Sequence, residues 1–385
     1  QKLVVLLNVA TTMEVGPLVE PGGPCEADAI LEIGFPGESG LRAVARALAG
    51  EVNPSGHTCD LWAADLSATP SFNNFGDHTY TDVTDYYTSI GSGAHFVEYA
   101  EGIYVGYRYY ETAAVEAAAG NYPGFDYDAA VTFPFGFGLS YTSFKRELLD
   151  VRREDGDVVA SVRVSNEGQV AGRDVAQLYS TPPTSPSVEK SAVSLVAFSK
   201  TDELAPGQSA ELELRVHERD LASWDVAAGC WVLDAGKYVL SLRSDSHTVI
   251  DQREVELEGR RYQTDSATGN EVRNRFDDVT DYMDAYVTQL SRADFAGTFP
   301  APARDKTAAS VGLALKEYDV AEHVDPSDEM PLTREKNGIS LSDLRGRPMD
   351  DPLWEKLLDQ LGTNVMTIIL NNHNHGTDSI DSVGK

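Results

Sequence analysis

A carboxylate set among aromatic side chains is the first feature of this sequence that could do chemistry. Glu101 lies between Tyr99 and Tyr104, and burial beside aromatic rings is one way in which proteins tune a carboxyl group for acid–base catalysis. The alternative, which we favour, is that Glu101 anchors its own loop by pairing with Arg108. Glu38 stands in a glycine-rich turn, where we expect it to accept backbone N–H bonds at the start of the following helix.

Neither a metal nor an organic cofactor is indicated by the sequence. His373 and His375 form an HxH pair, but no third ligand stands nearby to complete a metal site. Cys25, Cys59 and Cys230 are widely separated and lack zinc-type spacing. Phosphate-binding, dinucleotide-binding and nucleophile-elbow motifs are also missing. We therefore expect chemistry that needs no cofactor.

The elements that would position these residues begin with an α/β pattern. Residues 2–9 form an aliphatic run of the kind buried on both faces of a parallel sheet, and residues 27–33 are a second candidate strand. Residues 41–48 place apolar side chains at helical spacing, with Gly50 as a plausible end. Strong turn residues follow at 53–56. This pattern indicates half of a layered α/β domain.

Composition divides the chain into further segments. After an α/β segment at 1–145 with aromatic loops, short alternating strands punctuated by turns predict an antiparallel β-sandwich at 146–258. Residues 259–335 are polar and poorly periodic, which is typical of an irregular linker. In the last segment, 336–385, a helix is predicted to follow Pro352. The predicted fold class is multidomain α/β plus all-β.

Charge and cysteine usage narrow the possible partners and compartments. With 61 acidic and 31 basic residues, the net charge of −30 repels phosphate backbones, so we expect no nucleic-acid partner. We interpret the excess of acidic residues as a well-solvated acidic surface. Adaptation to a salty habitat is the alternative explanation. No run approaches the roughly 20 apolar residues that cross a bilayer, so no membrane association is expected. An odd number of scattered cysteines favours a reducing, cytoplasmic compartment.

Three motifs, in this order, resemble those of glycoside hydrolase family 3, the β-glucosidase and β-xylosidase family. Residues 36–40 (PGESG) with 50–56 (GEVNPSG) resemble a signature of its α/β sandwich domain. Residues 99–110 (YAEGIYVGYRYY) are similar to an aromatic segment of that family. Residues 133–144 (FPFGFGLSYTSF) match a further segment almost letter for letter. The three together are a specific signal.

The resemblance continues beyond these motifs and implies a domain order. Residues 164–168 (VSNEG), 172–179 (GRDVAQLY) and 204–207 (LAPG) resemble the family's fibronectin type III-like domain. Segments within 344–385 look like the entrance to its catalytic barrel. The implied architecture is a partial α/β sandwich domain, a fibronectin type III-like β-sandwich, a linker, and the first elements of a (β/α) barrel. That order is similar to the permuted branch of the family.

The resemblance implies a retaining glycosidase that cleaves β-glucosides with two carboxylates, roughly 5–5.5 Å apart. In the family the nucleophile is an Asp of the barrel, and the acid/base is a Glu from a loop of the α/β sandwich. Both are expected outside this chain, which looks truncated at both ends. Glu101 is then only a weak catalytic candidate.

The resemblance also implies partners and substrate-binding residues. The expected partners are a β-linked glucoside or oligosaccharide and the remainder of the same enzyme, as a second chain or a missing segment. Tyrosines between 104 and 110 could stack on a sugar ring, although we expect most of them to be core residues. The candidate substrate-binding residues, on loops whose simpler interpretation is a plain surface loop, are Phe75, His78, Tyr80, Tyr86, His373 and His375.

Three accounts of such a chain remain open. It could be one part of a split or cleaved enzyme, a truncated product that folds without catalysing, or a non-catalytic carbohydrate-binding or structural fragment. We favour the first, because a chain that ends within a barrel would leave apolar surface uncovered.

Overall fold

The computed structural model places the chain in two compact units, Gln1–Gly312 and Leu313–Lys385. No helix among the described residues is long and apolar enough to cross a membrane. The residues that the structure describes are 2–73, 78–79, 95–96, 99–184, 188–274, 288–300, 326–327, 329, 332–371, 380 and 383.

Helices in these ranges are short, and most of the regular structure is β-strand. The α-helices are α1 (Gly16–Val19), α2 (Gly37–Leu48), α3 (Tyr107–Ala118), α4 (Tyr127–Ala130), α5 (Leu353–Leu358) and α6 (Thr363–Asn371). Single 3₁₀ turns are Leu66–Ala68, Glu218–Leu221, Arg292–Asp294 and Leu341–Leu344. The strands before the sandwich are β1 (Val4–Leu7), β2 (Ala29–Glu32), β3 (Trp62–Ala63), β4 (His78–Thr79), β5 (His95–Phe96) and β6 (Val131–Phe133). The strands from there on are β7 (Phe144–Glu154), β8 (Asp157–Asn166), β9 (Val175–Thr181), β10 (Ser194–Lys200), β11 (Ser209–His217), β12 (Ser223–Asp225), β13 (Cys230–Leu233), β14 (Gly236–Arg243), β15 (Val249–Leu257) and β16 (Arg260–Tyr262).

The predicted α/β segment is confirmed, with one correction to its burial. β1 pairs with β2 in parallel, and α2 ends just before Gly50, whose N–H donates to the Ala47 carbonyl at 3.0 Å. Leu7 is buried, but Val4 and Leu6 are 44% and 41% exposed. The expected burial on both faces is therefore wrong in this chain. Among the described residues, apolar side chains cover only the face of β1 that carries Leu7.

Residues 144–257 form the predicted antiparallel β-sandwich. One sheet has the strand order β10-β9-β14-β15 and the other β11-β8-β7. Strands β8, β11 and β14 carry alternating apolar residues, because inward-facing residues must alternate with outward-facing ones. The two sheets enclose a core that includes Val158, Val162, Val164, Leu178, Leu214, Leu240 and Leu242.

Residues 288–300 depart from the linker expected at 259–335. They have little regular structure, as predicted, but Phe295 is fully buried and Leu290 is 3% exposed. Both pack in an aromatic core with Tyr104 and Tyr109; the Phe295 ring stacks on Tyr109 with centroids 5.8 Å apart. This segment is therefore part of the folded unit. Its apolar residues are too sparse to reveal that in sequence, since no local period links them.

The second unit contains the helix predicted after Pro352. α5 begins where the Asp351 carboxylate accepts the Leu353 N–H at 3.0 Å, and this bond lowers the pKa of Asp351. Leu357 and Leu361 are buried, whereas Leu358 is 53% exposed. Every sheet among the described residues is open. The beginning of a barrel in 336–385 stays a prediction.

The three cysteines are described and none forms a disulfide. Cys25 and Cys59 are exposed and Cys230 is buried.

Truncating the sandwich core should destabilise the chain strongly. Leu240→Ala removes a side chain with no solvent exposure, and we expect the free energy of unfolding to fall by about 2–5 kcal/mol. Urea unfolding followed by circular dichroism measures it. Phe198→Ala is the matched control, because Phe198 is 68% exposed and its loss should cost less than about 0.5 kcal/mol. Equal losses in the two variants would contradict the assigned core.

Candidate functional site

Glu101, the weak catalytic candidate, is buried in the turn before α3. Its side chain is 4% exposed, and its Oε2 has no hydrogen-bond partner among the described residues. Arg108 is exposed, and within the described part of the chain it forms no ion pair with Glu101. The turn is held instead by its backbone: the Tyr104 N–H donates to the Glu101 carbonyl at 2.9 Å, and the Leu290 N–H to the Ala100 carbonyl at 2.8 Å.

The tyrosines of residues 104–110 are core residues, as expected. Tyr104, Tyr109 and Tyr110 are 1%, 2% and 3% exposed, and burial raises the pKa of Tyr110 to about 12. Tyr107 stacks on Phe135 with ring centroids 4.5 Å apart. These rings pack against other aromatic side chains of the protein.

The substrate-binding candidates lie almost entirely outside the described residues. His78 belongs to β4, which pairs antiparallel with β5. Five further candidates fall outside the described ranges and stay predictions: Phe75, Tyr80, Tyr86, His373 and His375.

Two of the sequence motifs contact each other through Asn53. The Asn53 Oδ1 accepts the Tyr141 N–H at 2.8 Å and the Ser140 hydroxyl at 3.0 Å. Its Nδ2 donates to the Ala171 carbonyl at 3.1 Å. Gly172 has to lack a side chain here, because a Cβ would come within 2.5 Å of that amide nitrogen. A single side chain thus holds the 53–56 turn against the segment that leads into the sandwich.

Thr58 makes the second connection between these motifs. Its hydroxyl donates to the Pro134 carbonyl at 2.6 Å and accepts the Phe137 N–H at 3.0 Å. Gly136 has φ of +79°, and a Cβ there would lie 2.1 Å from Oε1 of Gln177. The amide of Gln177 donates to the Gly136 carbonyl at 2.9 Å. The glycine-rich motif is therefore a docking loop for strand β9.

Glu111 forms a buried polar cluster where α3 meets the turn between β14 and β15. Its Oε1 accepts the Tyr127 hydroxyl at 2.7 Å and the Ser246 hydroxyl at 2.8 Å. Its Oε2 lies 3.0 Å from Nδ1 of His247, whose ring stacks on Tyr127 with centroids 3.7 Å apart. A buried carboxylate is tolerated because donors replace the lost water.

The cluster changes the proton affinities of its members. The hydrogen bond with Glu111 raises the pKa of His247, although burial acts in the opposite direction. Burial and the nearby Glu111 charge raise the pKa of Tyr127 far above its ordinary value. Burial lowers the pKa of Arg243, against the pull of the Glu111 charge. The Glu111 carboxylate therefore favours an imidazole that donates a hydrogen bond from Nδ1.

Glu116, one and a half turns further along α3, forms a second cluster. Its Oε1 accepts Nε of Arg292 at 2.7 Å, and its Oε2 accepts the Asn121 amide at 2.9 Å. The Arg292 backbone N–H and the Tyr104 hydroxyl both donate to Glu189 Oε1, the latter at 2.6 Å. These bonds join α3, the segment before β10 and residues 288–300.

A cavity of about 580 Å³ lies between these elements. It is in the size range of small-ligand pockets, and its polar lining includes Glu111, Glu116, Glu189, Lys190, Arg243 and Arg292. Lys190 is itself 7% exposed and forms an ion pair with Asp234.

The cavity does not have the chemistry of a glycosidase site. A retaining glycosidase needs one carboxylate free to attack and another free to donate a proton. Both oxygens of Glu111 and of Glu116 already accept bonds from fixed protein donors. Within the described residues, no group of three His, Cys, Asp or Glu side chains could hold a metal. The arrangement holds the α/β segment and the sandwich together.

Sequence reasoning missed this junction. A signal was available in α3, where Glu111 and Glu116 are the carboxylates of a helix rich in alanine and tyrosine. His247 and Arg292 carry no local signal, because their partners lie 136 and 176 residues away in sequence.

Comparison with known proteins agrees with an α/β segment followed by a β-sandwich. Residues 1–107 match the Glycosyl hydrolase family 3 C-terminal domain, and residues 174–246 match a Fibronectin type III-like domain. Over residues 1–107 the chain is similar to proteins of glycoside hydrolase family 3. The resemblance carried by the motifs is confirmed, as is a mixed α/β and β-sandwich architecture.

Similar proteins are β-glucosidases that are much longer than this chain. A β-glucosidase of Ruminococcus albus is 35% identical over 249 residues, which are 63% of this chain and 23% of that protein. β-Glucosidase 3B from Thermotoga neapolitana, solved with glucose, is 32% identical with a TM-score of 0.56, over 68% of this chain and 32% of that one. A β-glucosidase from Paenibacillus barengoltzii is 25% identical with a TM-score of 0.56, over 94% of this chain and 36% of that one. The chain thus spans about a quarter to a third of these relatives.

Breaking the Glu116 cluster should destabilise the folded chain. Arg292→Met removes the donor to Oε1 of Glu116, whose side chain is 5% exposed, and we expect a loss of about 1.5–3 kcal/mol in the free energy of unfolding. Arg163→Met is the matched control, because Arg163 and Glu211 form an exposed pair with side chains 42% and 63% accessible. Its cost should stay below about 1 kcal/mol. Urea titration compares them, and similar costs would contradict the buried role of Glu116.

Removing the Glu111 charge should lower the pKa of His247. In Glu111→Gln we expect the pKa of His247 to fall, since the hydrogen bond to the carboxylate is the main cause of its elevation. A raised pKa in the folded state adds stability below the ordinary value of 6.5, which is lost as pH rises through the folded value. Stability of the variant should therefore vary less across that window.

Imidazole signals followed by NMR over pH 5–9 measure this directly, and urea unfolding at about pH 6 and pH 8 measures the linked stability. Glu211→Gln, on the exposed side of the sandwich, is the control and should leave the His247 titration unchanged. An unaltered His247 titration in Glu111→Gln would rule out the assigned contact.

Proposed function

We propose that the chain is the accessory part of a retaining β-glucosidase of permuted domain order, which acts together with a catalytic part that supplies the nucleophile and the acid/base. One observation carries this proposal. The family motifs form an intact junction, while the carboxylates Glu111 and Glu116 within it are fully used as anchors. Hydrolysis of a β-linked glucoside then requires carboxylates from elsewhere in the enzyme.

Exposed apolar residues of the α/β segment support the proposal that another part of the enzyme packs against it. β1 and β2 form a two-stranded parallel sheet, a type that normally occurs in larger sheets with both faces covered. Val4 and Leu6 are half exposed on β1, and Leu41 and Leu48 of α2 are 57% and 49% exposed. We propose that further strands and helices of the same α/β domain cover these residues. The remainder of the enzyme is therefore the expected macromolecular partner.

The proposed substrate is a β-linked glucoside or oligosaccharide. Support comes from the β-glucosidases that resemble this chain over a quarter to a third of their length, one of which was solved with glucose. In this proposal the residues that border the sugar remain Phe75, His78, Tyr80, Tyr86, His373 and His375.

The test separates the chain alone from the chain in its native assembly. Recombinant chain of 385 residues should not hydrolyse p-nitrophenyl β-glucoside above the uncatalysed rate. Protein captured from the natural source with an antibody to the sandwich should hydrolyse it. Intact mass of the captured material should reveal either a second polypeptide of barrel size or one longer chain.

Glu101→Gln decides the remaining catalytic candidate. If the recombinant chain hydrolyses the glucoside and Glu101→Gln abolishes that activity, Glu101 is catalytic and the proposal of an accessory part fails. Inactive captured protein of the mass of this chain alone would also contradict it.

A further inference from the structure

The small sheet at the edge of the sandwich presents two tryptophans side by side. Trp224 of β12 and Trp231 of β13 are register partners, and their rings meet edge to face with centroids 5.7 Å apart. β16 pairs with β13 on its other side, where Tyr262 is opposite Trp231. Both tryptophans are partly exposed, and the sheet holds them in fixed positions.

These rings line an open cleft of about 680 Å³. The loop after β16 forms the opposite wall with Asp265, Asn270 and Glu271. The guanidinium of Arg219 lies 5.0 Å from the centroid of Trp231, within the range of a cation–π interaction. We name this site the tryptophan cleft. It combines aromatic surface with polar groups, as ligand-binding clefts do.

Several polar groups of the tryptophan cleft are available to a ligand. Within the described part of the chain, the indole N–H groups of Trp224 and Trp231 and the side chains of Asn270 and Glu271 form no hydrogen bonds to protein. Asp265 uses only Oδ1 for its turn, accepting the Thr268 N–H at 2.8 Å among others, so Oδ2 has no protein partner in the same ranges.

The tryptophan cleft differs chemically from the cavity lined by Glu111 and Glu116. In that cavity, Glu111 and Glu116 already accept hydrogen bonds from protein donors on both oxygens. The cavity therefore results from the contacts that hold the domains together. In the tryptophan cleft, donors and acceptors surround an aromatic platform and remain open to solvent. Unpaired polar groups beside exposed tryptophan are suited to a ligand with an apolar face and a polar edge.

We propose that the tryptophan cleft binds a neutral oligosaccharide of β-linked pyranose units. A β-pyranose offers a flat C–H face to an indole ring and equatorial hydroxyls to groups at its edge. Asp265 and Glu271 can accept hydrogen bonds from the sugar hydroxyls, and the indole N–H groups and Arg219 can donate hydrogen bonds to them. Anionic ligands are disfavoured by the two carboxylates and the net charge of −30. Because binding needs no catalytic pair, this proposal is independent of the proposed hydrolysis.

Calorimetric titration of the recombinant chain with cellopentaose tests the proposal. The chain should bind, without turnover, and Trp224→Ala should weaken the affinity about tenfold or more, as expected for an aromatic anchor. Phe198→Ala is the matched control, since it removes another exposed aromatic ring from the same sandwich. Its affinity for cellopentaose should equal that of the parent.

Two further variants distinguish weaker binding from loss of the folded structure. Asn270→Ala and Glu271→Gln change exposed side chains of the opposite wall, and each should weaken binding about threefold or more while leaving circular dichroism unchanged. A parent chain that does not bind cellopentaose overturns the proposal. So does binding that Trp224→Ala and Asn270→Ala both leave intact. Hydrolysis has no bearing on these outcomes, so they are distinguishable from failure of the accessory-part proposal.

Discussion

The desolvation of two carboxylates on one helix constrains most of the first unit. Glu111 and Glu116 lie on α3 with side chains 5% exposed, and burying such charges is unfavourable unless donors replace water. The donors come from Ser246 and His247 on one side and from Arg292 on another. The helix, the sandwich and residues 288–300 must therefore adopt one relative arrangement for either charge to be tolerated.

The motifs that resemble glycoside hydrolase family 3 serve the same constraint. Asn53 and Thr58 bind the backbone of the segment before the sandwich, and Gly136 permits Gln177 to approach. A run rich in glycine and aromatic residues resembles a ligand-binding loop, yet here its contacts are internal. Specific sequence motifs therefore mark a domain junction in this chain. Two backbones can approach closely only where particular residue types are present, and substrate binding restricts residue types in a similar way.

The polar side chains at the domain junction differ from those of the tryptophan cleft in whether they have hydrogen-bond partners within the protein. Both α3 carboxylates have protein partners on both oxygens. The indole N–H groups of Trp224 and Trp231 and the side chains of Asn270 and Glu271 have no hydrogen-bond partner within the described residues. Since unpaired polar groups must be served by water or a ligand, this difference directs attention to the small sheet, which carries no catalytic motif.

The sequence by itself determined the sandwich, the parallel β1–β2 pair, α2 and the family. Each of these rests on a local period, a turn residue or a short motif, and such features are complete within a few residues of chain. Only the tertiary structure decided that Glu111 and Glu116 are anchors, that residues 288–300 return to the aromatic core, and that Glu101 does not pair with Arg108. Those outcomes depend on partners up to 176 residues apart. No local pattern records which distant donor will reach a buried charge.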